Sequence, residues 1–301
     1  MKRFVLVLVA LILPFILGAC QEKLEWEIEV DVIVGNTEAT EYDDSIEYND
    51  IISFDGRRMS QGGDCWGDYL FQFVANNSMV RIYDLSLKTL VQTLTIPASQ
   101  RGFVSNCHSN TVCFGTEYYD SEDLFPLIYV STGYAANGYT GALVYRITQH
   151  NGIFFITLVQ TLKFPVEKSS WTEFVPGNEF AYLCYTSERI IYKVKMPKLK
   201  DGDIIIGRED AIETYQFSPQ PNWMASSRNQ DRIFHQGKIL VISGVPPSEA
   251  CVLFVLNLET QERERIIDLK KSGLTSEPES IFIWQGDVCV AFVDKIVRLY
   301  L

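Results

Sequence analysis

Short apolar runs alternate with clusters of turn-forming residues from about residue 48 onward. The runs are rich in Val, Ile, Tyr and Phe, and Gly, Asn, Asp or Pro separates them. Runs of this length and composition predict short β-strands, and helical periodicity is scarce. The pattern therefore predicts an all-β protein.

The predicted strands repeat in groups of four. The short lead strands of the groups begin near Gln61, His108, Trp171, Asp231 and Glu279, which are 47–63 residues apart. Four strands in a repeat of about 40–60 residues are typical of a β-propeller. A β-sandwich is the runner-up, but it would not explain the ordered four-strand units.

The fifth group has three strands, and a bare sheet edge there would be an aggregation hazard. We expect an N-terminal strand within residues 49–56 to fill this place. The prediction is therefore a five-bladed β-propeller whose ring is closed by an N-terminal strand. Six blades are the alternative if residues 24–48 form more structure.

The first twenty residues, MKRFVLVLVALILPFILGAC, have the layout of an export signal. A basic pair precedes an apolar stretch at 4–17, which is too short for a comfortable membrane span. The ending Leu17-Gly18-Ala19-Cys20 resembles the lipobox of bacterial lipoproteins. This resemblance implies cleavage before Cys20 and acylation of that cysteine, so we expect a lipoprotein signal peptide at 1–19. An ordinary signal peptide is the alternative.

Residues 20–47 follow the cysteine and are strongly acidic. We expect them to form a tether or edge segment, with a single propeller domain at 48–301. Acidic residues in this place resemble the export signals of Bacteroidetes surface lipoproteins. The expected location is the outer membrane of the cell envelope, on its periplasmic face or at the cell surface, with the lipid as the only membrane attachment.

Charge and residue spacing exclude several classes of function. The net charge is −12 and no dense Lys/Arg run exists, so we expect no nucleic-acid partner. The cysteines and the three histidines are too widely spaced for a zinc site, and we expect no metal site or cofactor of this kind. The chain also lacks a P-loop and a Gly-x-Ser-x-Gly elbow. An exported chain can hold disulfides, and the sequence allows one, with Cys107 as the most exposed-looking member.

Two further segments draw attention. The loop at 117–126 carries Asp120, Glu122 and Asp123, which could bind calcium through oxygen ligands. A solvated loop is the simpler interpretation, because the regular spacing of a calcium loop is missing. The segment at 199–210 contains an Asp201-Gly202 turn, which predicts a hairpin on the third blade.

The first repeat resembles the opening of the propeller-type glutaminyl cyclases, which have five blades. Ser60-Gln61-Gly62 matches their Thr-Gln-Gly, and a Gly67-Asp68 turn and a strand follow. Where the cyclases carry a Glu-Ser-Thr-Gly run, this chain has Phe71-Gln72-Phe73-Val74. The acid expected for cyclase chemistry is therefore missing.

Residues 50–301 also resemble a family of Bacteroidetes-type lipoprotein β-propellers. The stretches HSNTVCFGTEYYDSEDLFPLIYVS, KMPKLKDGDIIIGREDAIETYQF and SEPESIFIWQGDVCVAF carry this resemblance. It implies the fold but brings no activity, since propellers serve many functions.

The lead strands of a propeller line its central channel, and the loops beside them form its mouth, where ligands bind. The candidate ligand-binding residues at these positions are Gln61, Asp64, Asn110, Trp171, Asp231 and Arg232. The candidate catalytic residues are His108, Glu173, Glu277 and Glu279. Each of them has a structural alternative, either a hydrogen bond at the mouth or packing between blades.

The chemistry of these residue types suggests their roles. A neutral His108 could act as a base, and Glu277 with Glu279 could share a proton or hold a hard cation. Trp171 beside Glu173 could stack on a sugar. We expect a monomeric module that binds a glycan, a peptide or another envelope protein, and not an enzyme. The alternative is a hydrolase, lyase or cyclase with these acids and His108 at the channel mouth.

Overall fold

The computed structural model describes residues 41–43, 45–56, 60–103, 107–166, 172–185, 190–217 and 228–301. All of them belong to one compact unit, Ile33–Leu301. The expected lipobox at Cys20 and the candidate Trp171 lie outside the described residues. No helix in the described ranges has the length and hydropathy that a membrane span needs.

The described strands form five sheets, which are the blades of the propeller. The chain begins with β1 (Glu41–Asp43) and β2 (Tyr48–Ser53), which join later blades. Blade 1 contains β3 (Gly63–Trp66), β4 (Tyr69–Phe73), β5 (Met79–Asp84) and β6 (Thr89–Thr95). Blade 2 contains β7 (Val112–Phe114), β8 (Ile128–Ser131), β9 (Tyr139–His150) and β10 (Ile153–Pro165).

The remaining three blades follow in chain order. Blade 3 contains β11 (Thr172–Pro176), β12 (Phe180–Tyr185) and β13 (Ile190–Lys195), and then, after the short β14 (Ile204–Ile205), β15 (Ala211–Gln216). Blade 4 contains β16 (Asn229–His235), β17 (Lys238–Ser243), β18 (Val252–Asn257) and β19 (Glu262–Asp268). Blade 5 contains β20 (Pro278–Trp284), β21 (Asp287–Phe292) and β22 (Lys295–Leu299). Short 3₁₀ helices lie at Ala75–Asn77, Ala98–Gln100, Leu199–Asp201 and Arg208–Asp210.

The protein is a five-bladed β-propeller, and an N-terminal strand closes its ring. Strand β2 pairs antiparallel with β22, with Tyr48 opposite Leu299. This confirms the expected closing strand and the count of five. Strand β1 pairs parallel with β19 and adds an outer strand to blade 4, so it does not begin a sixth blade.

The core consists of five apolar clusters, each between two neighbouring blades. Alternate side chains of a strand point to opposite faces of its sheet. Phe71 of β4 therefore packs toward blade 2, while its neighbour Leu70 packs toward Phe282 and Trp284 of blade 5. Burying one such side chain contributes about 1.5–3 kcal/mol, so the last interface stabilises the closed ring.

The hairpin predicted at 199–210 is wrong. Residues 199–201 form a 3₁₀ helix, and β14 pairs parallel with the outer strand of blade 2, with Ile204 opposite Leu162. The side chain of Asp203 accepts the N–H of Thr161 at 2.6 Å, which fixes this register. The segment pairs with the outer edge strand of the neighbouring blade. The turn residues within the segment give no information about that edge.

Candidate functional site

The first strands of the five blades surround the propeller axis. Strand β3 contacts β7 and β20, and the ring continues through β11 and β16. Each first strand runs antiparallel to the second strand of its blade. In this repeating arrangement all five begin on the same face of the ring. That face, which we call the mouth, carries the lead residues Gln61, His108, Asn110, Gln230 and Glu277.

Below the mouth, two buried aspartates join neighbouring blades. Asp64 accepts the N–H of Cys65 through Oδ1 and the N–H of Phe114 in blade 2 through Oδ2, both at 2.7 Å. Asp231 accepts the N–H of Arg232 at 2.7 Å and the N–H of Ile281 in blade 5 at 3.1 Å. The same geometry therefore recurs at two of the five interfaces.

Burial changes the protonation of both aspartates. It raises the pKa of Asp64 to about 7, and the two N–H donors oppose this shift only in part. Burial also raises the pKa of Asp231 well above its ordinary value, against the N–H donors of Ile281 and Arg232. The negative charges of Glu173 and Asp64 add to the shift at Asp231. The acids at the axis are thus close enough to influence one another.

The interface between blades 2 and 3 uses a serine for the same purpose. Val112 lies two residues before Phe114 in β7, just as Asp64 lies two residues before Trp66 in β3, so the two positions are equivalent. The apolar side chain of Val112 cannot accept a hydrogen bond. Ser131 at the end of β8 instead accepts the N–H of Phe174 at 2.9 Å. Sequence reasoning missed Ser131, because its role depends on which blade it faces and no motif marks it.

Blades 3 and 4 are joined by an ion pair. Glu173 of β11 and Arg232 of β16 are both buried, and the guanidinium Nε contacts the carboxylate Oε2. Burial raises the pKa of Glu173, and the charge of Arg232 opposes that shift. The structure therefore brings the predicted catalytic residue Glu173 into contact with the predicted ligand-binding residue Arg232. Each is the ion-pair partner of the other.

The first strands of blades 2 and 4 also touch across the axis. Cys113 Sγ lies 3.2 Å from the carbonyl oxygen of Arg232. Nearer the mouth, the side-chain amide of Asn110 lies 3.5 Å from the carbonyl oxygen of Asn229. Blade 3 separates these two blades along the ring, so both contacts span the centre. They form a floor beneath the mouth.

The mouth itself carries two polar pairs. His108 Nδ1 is hydrogen-bonded to Oδ1 of Asn110, and the ring meets Tyr134 edge-on at 5.6 Å between centroids. Gln230 Nε2 donates to Oε1 of Glu277 at 3.1 Å. Gln230, which sequence reasoning also missed, sits next to the predicted Asp231 and faces the mouth instead of the axis.

The remaining candidates occupy simpler positions. The backbone N–H of Gln61 donates to the Phe73 carbonyl at 2.8 Å, which anchors this lead segment to its own blade. The next residue, Gly62, lies so close to blade 2 that a Cβ would come within 2.2 Å of the Asn110 carbonyl oxygen. Glu279 is buried on β20, at the position equivalent to Asp64 and Asp231.

The acidic loop at 117–126 forms an ion pair. Asp123 accepts Arg146 Nε at 2.8 Å and Nη2 at 2.6 Å, and the guanidinium lies 4.5 Å from the centroid of the Tyr119 ring. Asp120 accepts the N–H of Glu122 at 3.1 Å. Within the described ranges, no group of three acidic, histidine or cysteine side chains could hold a metal ion.

The six cysteines of the described residues are all reduced and buried. Cys107, which the sequence suggests is the most exposed, is only 1% exposed because it lies beneath the end of β8. Its sulfur lies 3.5 Å from the Ser109 hydroxyl. Burial raises the pKa of the Cys184 thiol to about 11. These thiols pack as small apolar groups.

Solved structures that resemble this chain are β-propellers. Myxococcus xanthus glutaminyl cyclase matches with a TM-score of 0.50 at 10% identity, over 85% of this chain and 97% of that one. The β-propeller domain of Myceliophteria thermophila Cps50 (Swd1) matches with a TM-score of 0.43 at 9% identity, over 84% of this chain and 99% of that one. Identities this low show a likeness in fold alone. The sequence matches no protein-family model and no curated protein.

The arrangement separates two sets of polar residues. Asp64, Glu173, Asp231 and Arg232 lie at the blade interfaces, where they bind backbone N–H groups or one another. The pairs His108–Asn110 and Gln230–Glu277 carry both donors and acceptors at the mouth, where Asn110 and Gln230 are buried and Asn110 also belongs to the floor. The first set can hold the ring together, and the second can contact a ligand.

Proposed function

We propose that this chain is an exported, lipid-anchored β-propeller that binds a polar ligand, a glycan or a peptide of an envelope partner, at its mouth. One observation carries the proposal. The axial acids are engaged between blades, and the contacts from Asn110 to Asn229 and from Cys113 to Arg232 form a floor beneath the mouth. A ligand is therefore expected to rest on the lead residues and not to thread the channel.

The mouth has the chemistry for such a ligand. The side chain of His108 is hydrogen-bonded to Asn110 and that of Gln230 to Glu277, so each is oriented by a neighbour. Polar groups fixed in advance lose little conformational freedom when a ligand binds. The imidazole, amide and carboxylate groups suit hydroxyls and peptide groups.

The experiment is a melting-temperature screen of the full-length protein carrying Cys20→Ser, which cannot be acylated, against oligosaccharides and short peptides. A bound ligand raises the melting temperature. We expect at least one compound to do so for this protein, and to lose its effect in a variant with His108→Ala and Gln230→Ala. A compound that stabilises both proteins equally would place binding elsewhere and contradict the proposal.

The anchor is tested separately in a bacterial host. Lipidation at Cys20 predicts that the protein incorporates a labelled fatty acid and sediments with membranes. Cys20→Ala should abolish both. Protease treatment of intact cells then distinguishes the cell surface, where the chain is cleaved, from the periplasmic face, where it is protected.

A propeller enzyme of the hydrolase, lyase or cyclase type is the alternative, with His108, Glu173, Glu277 and Glu279 as its candidate residues. The glutaminyl cyclase among the similar structures makes one assay specific, the cyclisation of a peptide with an N-terminal glutamine. The binding proposal predicts no turnover, because Glu173 is engaged by Arg232 and β4 carries Gln72 within the Phe71–Val74 run. Turnover that Glu277→Gln or His108→Ala abolishes would favour the enzyme.

A further inference from the structure

An open pocket with both polar and apolar walls lies on the face opposite the mouth. Strands β20 and β22 run in the same direction, so their ends share the face where the first strands finish. There the ends of both strands, the closing strand β2 and the β5–β6 turn border an open pocket of about 380 Å³. Sites for small molecules occupy about 300–1,000 Å³. The pocket beside the acidic loop at 117–126, at about 240 Å³, falls below this range.

Arg298 presents an oriented guanidinium to this pocket, and Asp287 balances its charge. Its guanidinium lies 4.7 Å from the centroid of the Trp284 ring. Nη2 donates to Gln285 Oε1 at 3.1 Å, and Nη1 lies 3.2 Å from Asp287 Oδ2. A guanidinium stacked on an aromatic ring and held at both nitrogens is oriented before any ligand arrives.

Lys88 supplies a second positive charge. It lies in the β5–β6 turn, is exposed, and has no acidic partner among the residues that the structure describes. The chain as a whole carries a net charge of −12. Asp287 balances Arg298 and Asp50 balances Lys295, so Lys88 leaves one positive charge in excess there, which favours a ligand with an anionic group.

The other walls favour hydroxyl groups and a sugar ring. The Tyr300 ring is 45% exposed, and its hydroxyl accepts Asn49 Nδ2 at 2.6 Å. An exposed aromatic face that a hydrogen bond orients can stack on the apolar face of a sugar. Asp50, 3.4 Å from Lys295, offers carboxylate oxygens that accept hydroxyl donors. A ligand must therefore combine an anionic group with hydroxyls.

We propose that this pocket binds an acidic sugar of the hexuronate class. The carboxylate of the sugar lies toward Lys88 and Arg298, and the ring lies against Tyr300. The hydroxyls bind Asn49 and Asp50. This site is separate from the mouth, so its occupation does not depend on the function proposed above.

The experiment titrates D-glucuronate, D-glucose and inorganic phosphate separately into the full-length Cys20→Ser protein, followed by NMR or calorimetry. We expect glucuronate to bind at least about tenfold more tightly than either of the other two. Lys88→Gln and Tyr300→Ala should each weaken glucuronate binding by about tenfold, while Tyr300→Phe retains the ring and most of the affinity. Because both positions are exposed, these variants should keep the wild-type melting temperature.

Lys270→Gln, which removes an exposed lysine on blade 4, is the matched control and should bind as the wild type does. The mouth variant His108→Ala should also retain glucuronate binding. Equal affinity for glucose would show that the cations are not used, and tighter binding of phosphate would identify a simple anion site. Either result, or glucuronate binding that Lys88→Gln and Tyr300→Ala leave unchanged, overturns the proposal.

Discussion

The carboxylate of Asp64 in the first blade accepts the backbone N–H of Phe114 in the second at 2.7 Å. Asp231 holds Ile281 in the same way one interface before the ring closes. A propeller has few hydrogen bonds between its blades, because the strand ladders run within each blade. The buried acids at the axis therefore add hydrogen bonds to interfaces that are mainly apolar.

Removing the Asp64 carboxylate should destabilise the ring more than removing the Ser131 hydroxyl. Asp64→Ala leaves two buried N–H groups without an acceptor, whereas Ser131→Ala leaves one. Each costs about 1–3 kcal/mol. Denaturant unfolding at pH 6 should show a loss of about 2–4 kcal/mol for Asp64→Ala and about half as much for Ser131→Ala. The exposed control Asp55→Ala should change little, and equal effects in all three variants would contradict this role.

The raised pKa of Asp64 predicts a stability that falls as the pH rises. Its ordinary pKa is 3.8, and in the folded protein it is about 7. Between these values the folded state keeps a proton that the unfolded state has lost, so stability decreases with rising pH throughout this window. Asp231 and Glu173 have raised pKa values and act in the same direction.

Asp64→Asn removes one of these titrating groups and keeps a carbonyl acceptor. Unfolding free energies measured from pH 5 to pH 8 should fall less steeply in this variant than in the wild type, by up to a few kcal/mol over the range. Parallel slopes for the two proteins would show that Asp64 does not titrate there.

The buried pair of Glu173 and Arg232 should respond very differently to one substitution and to two. Arg232→Met strands a buried carboxylate, which costs about 3–5 kcal/mol. Combining it with Glu173→Leu removes both charges, and we expect the double variant to recover most of that loss. The exposed pair Lys193–Glu213 is the comparison, with a coupling of at most about 1 kcal/mol in an equivalent cycle. Additive losses at Glu173 and Arg232 would show that they do not act as a pair.

Gly62 should not tolerate a methyl group. Its Cβ would lie 2.2 Å from the Asn110 carbonyl oxygen and 2.7 Å from that of Ser109, both of which are backbone atoms. Overpacking of this kind costs about 1–3 kcal/mol. Thermal unfolding of Gly62→Ala should show that loss, and the neighbouring Gln61→Ala should not. If both melt as the wild type does, the two lead segments are not in close contact.

The four-strand repeat and the alternation of apolar runs with turn residues were enough to predict the blades. The sequence pattern predicted the four-strand repeats and the closing strand in residues 49–56, because each of these follows from local order along the chain. It could not predict that β14 would join blade 2 or that Ser131 would replace an acid. Those outcomes depend on which residues face each other across an interface between blades. A single sequence does not show which residues those are.

The candidate site was less predictable than the fold for the same reason. Residue types at the lead positions identified Glu173 and Arg232 as separate candidates, with different roles. Their contact across blades 3 and 4 gives both a structural partner. Gln230 was overlooked because successive side chains of a β-strand point to opposite sides. The sequence pattern did not show which of the neighbours Gln230 and Asp231 faces the mouth.

The separation of the axis from the mouth is tested most directly by measuring stability and binding on the same two variants, Asp64→Asn and His108→Ala, with a compound that stabilises the wild type in the ligand screen. Asp64→Asn should have an altered unfolding free energy and an unchanged affinity. His108→Ala should remain folded and lose affinity by about tenfold or more. Loss of affinity in a folded Asp64→Asn protein, or wild-type affinity in His108→Ala, would contradict the division between an axis that holds the ring and a mouth that binds the ligand.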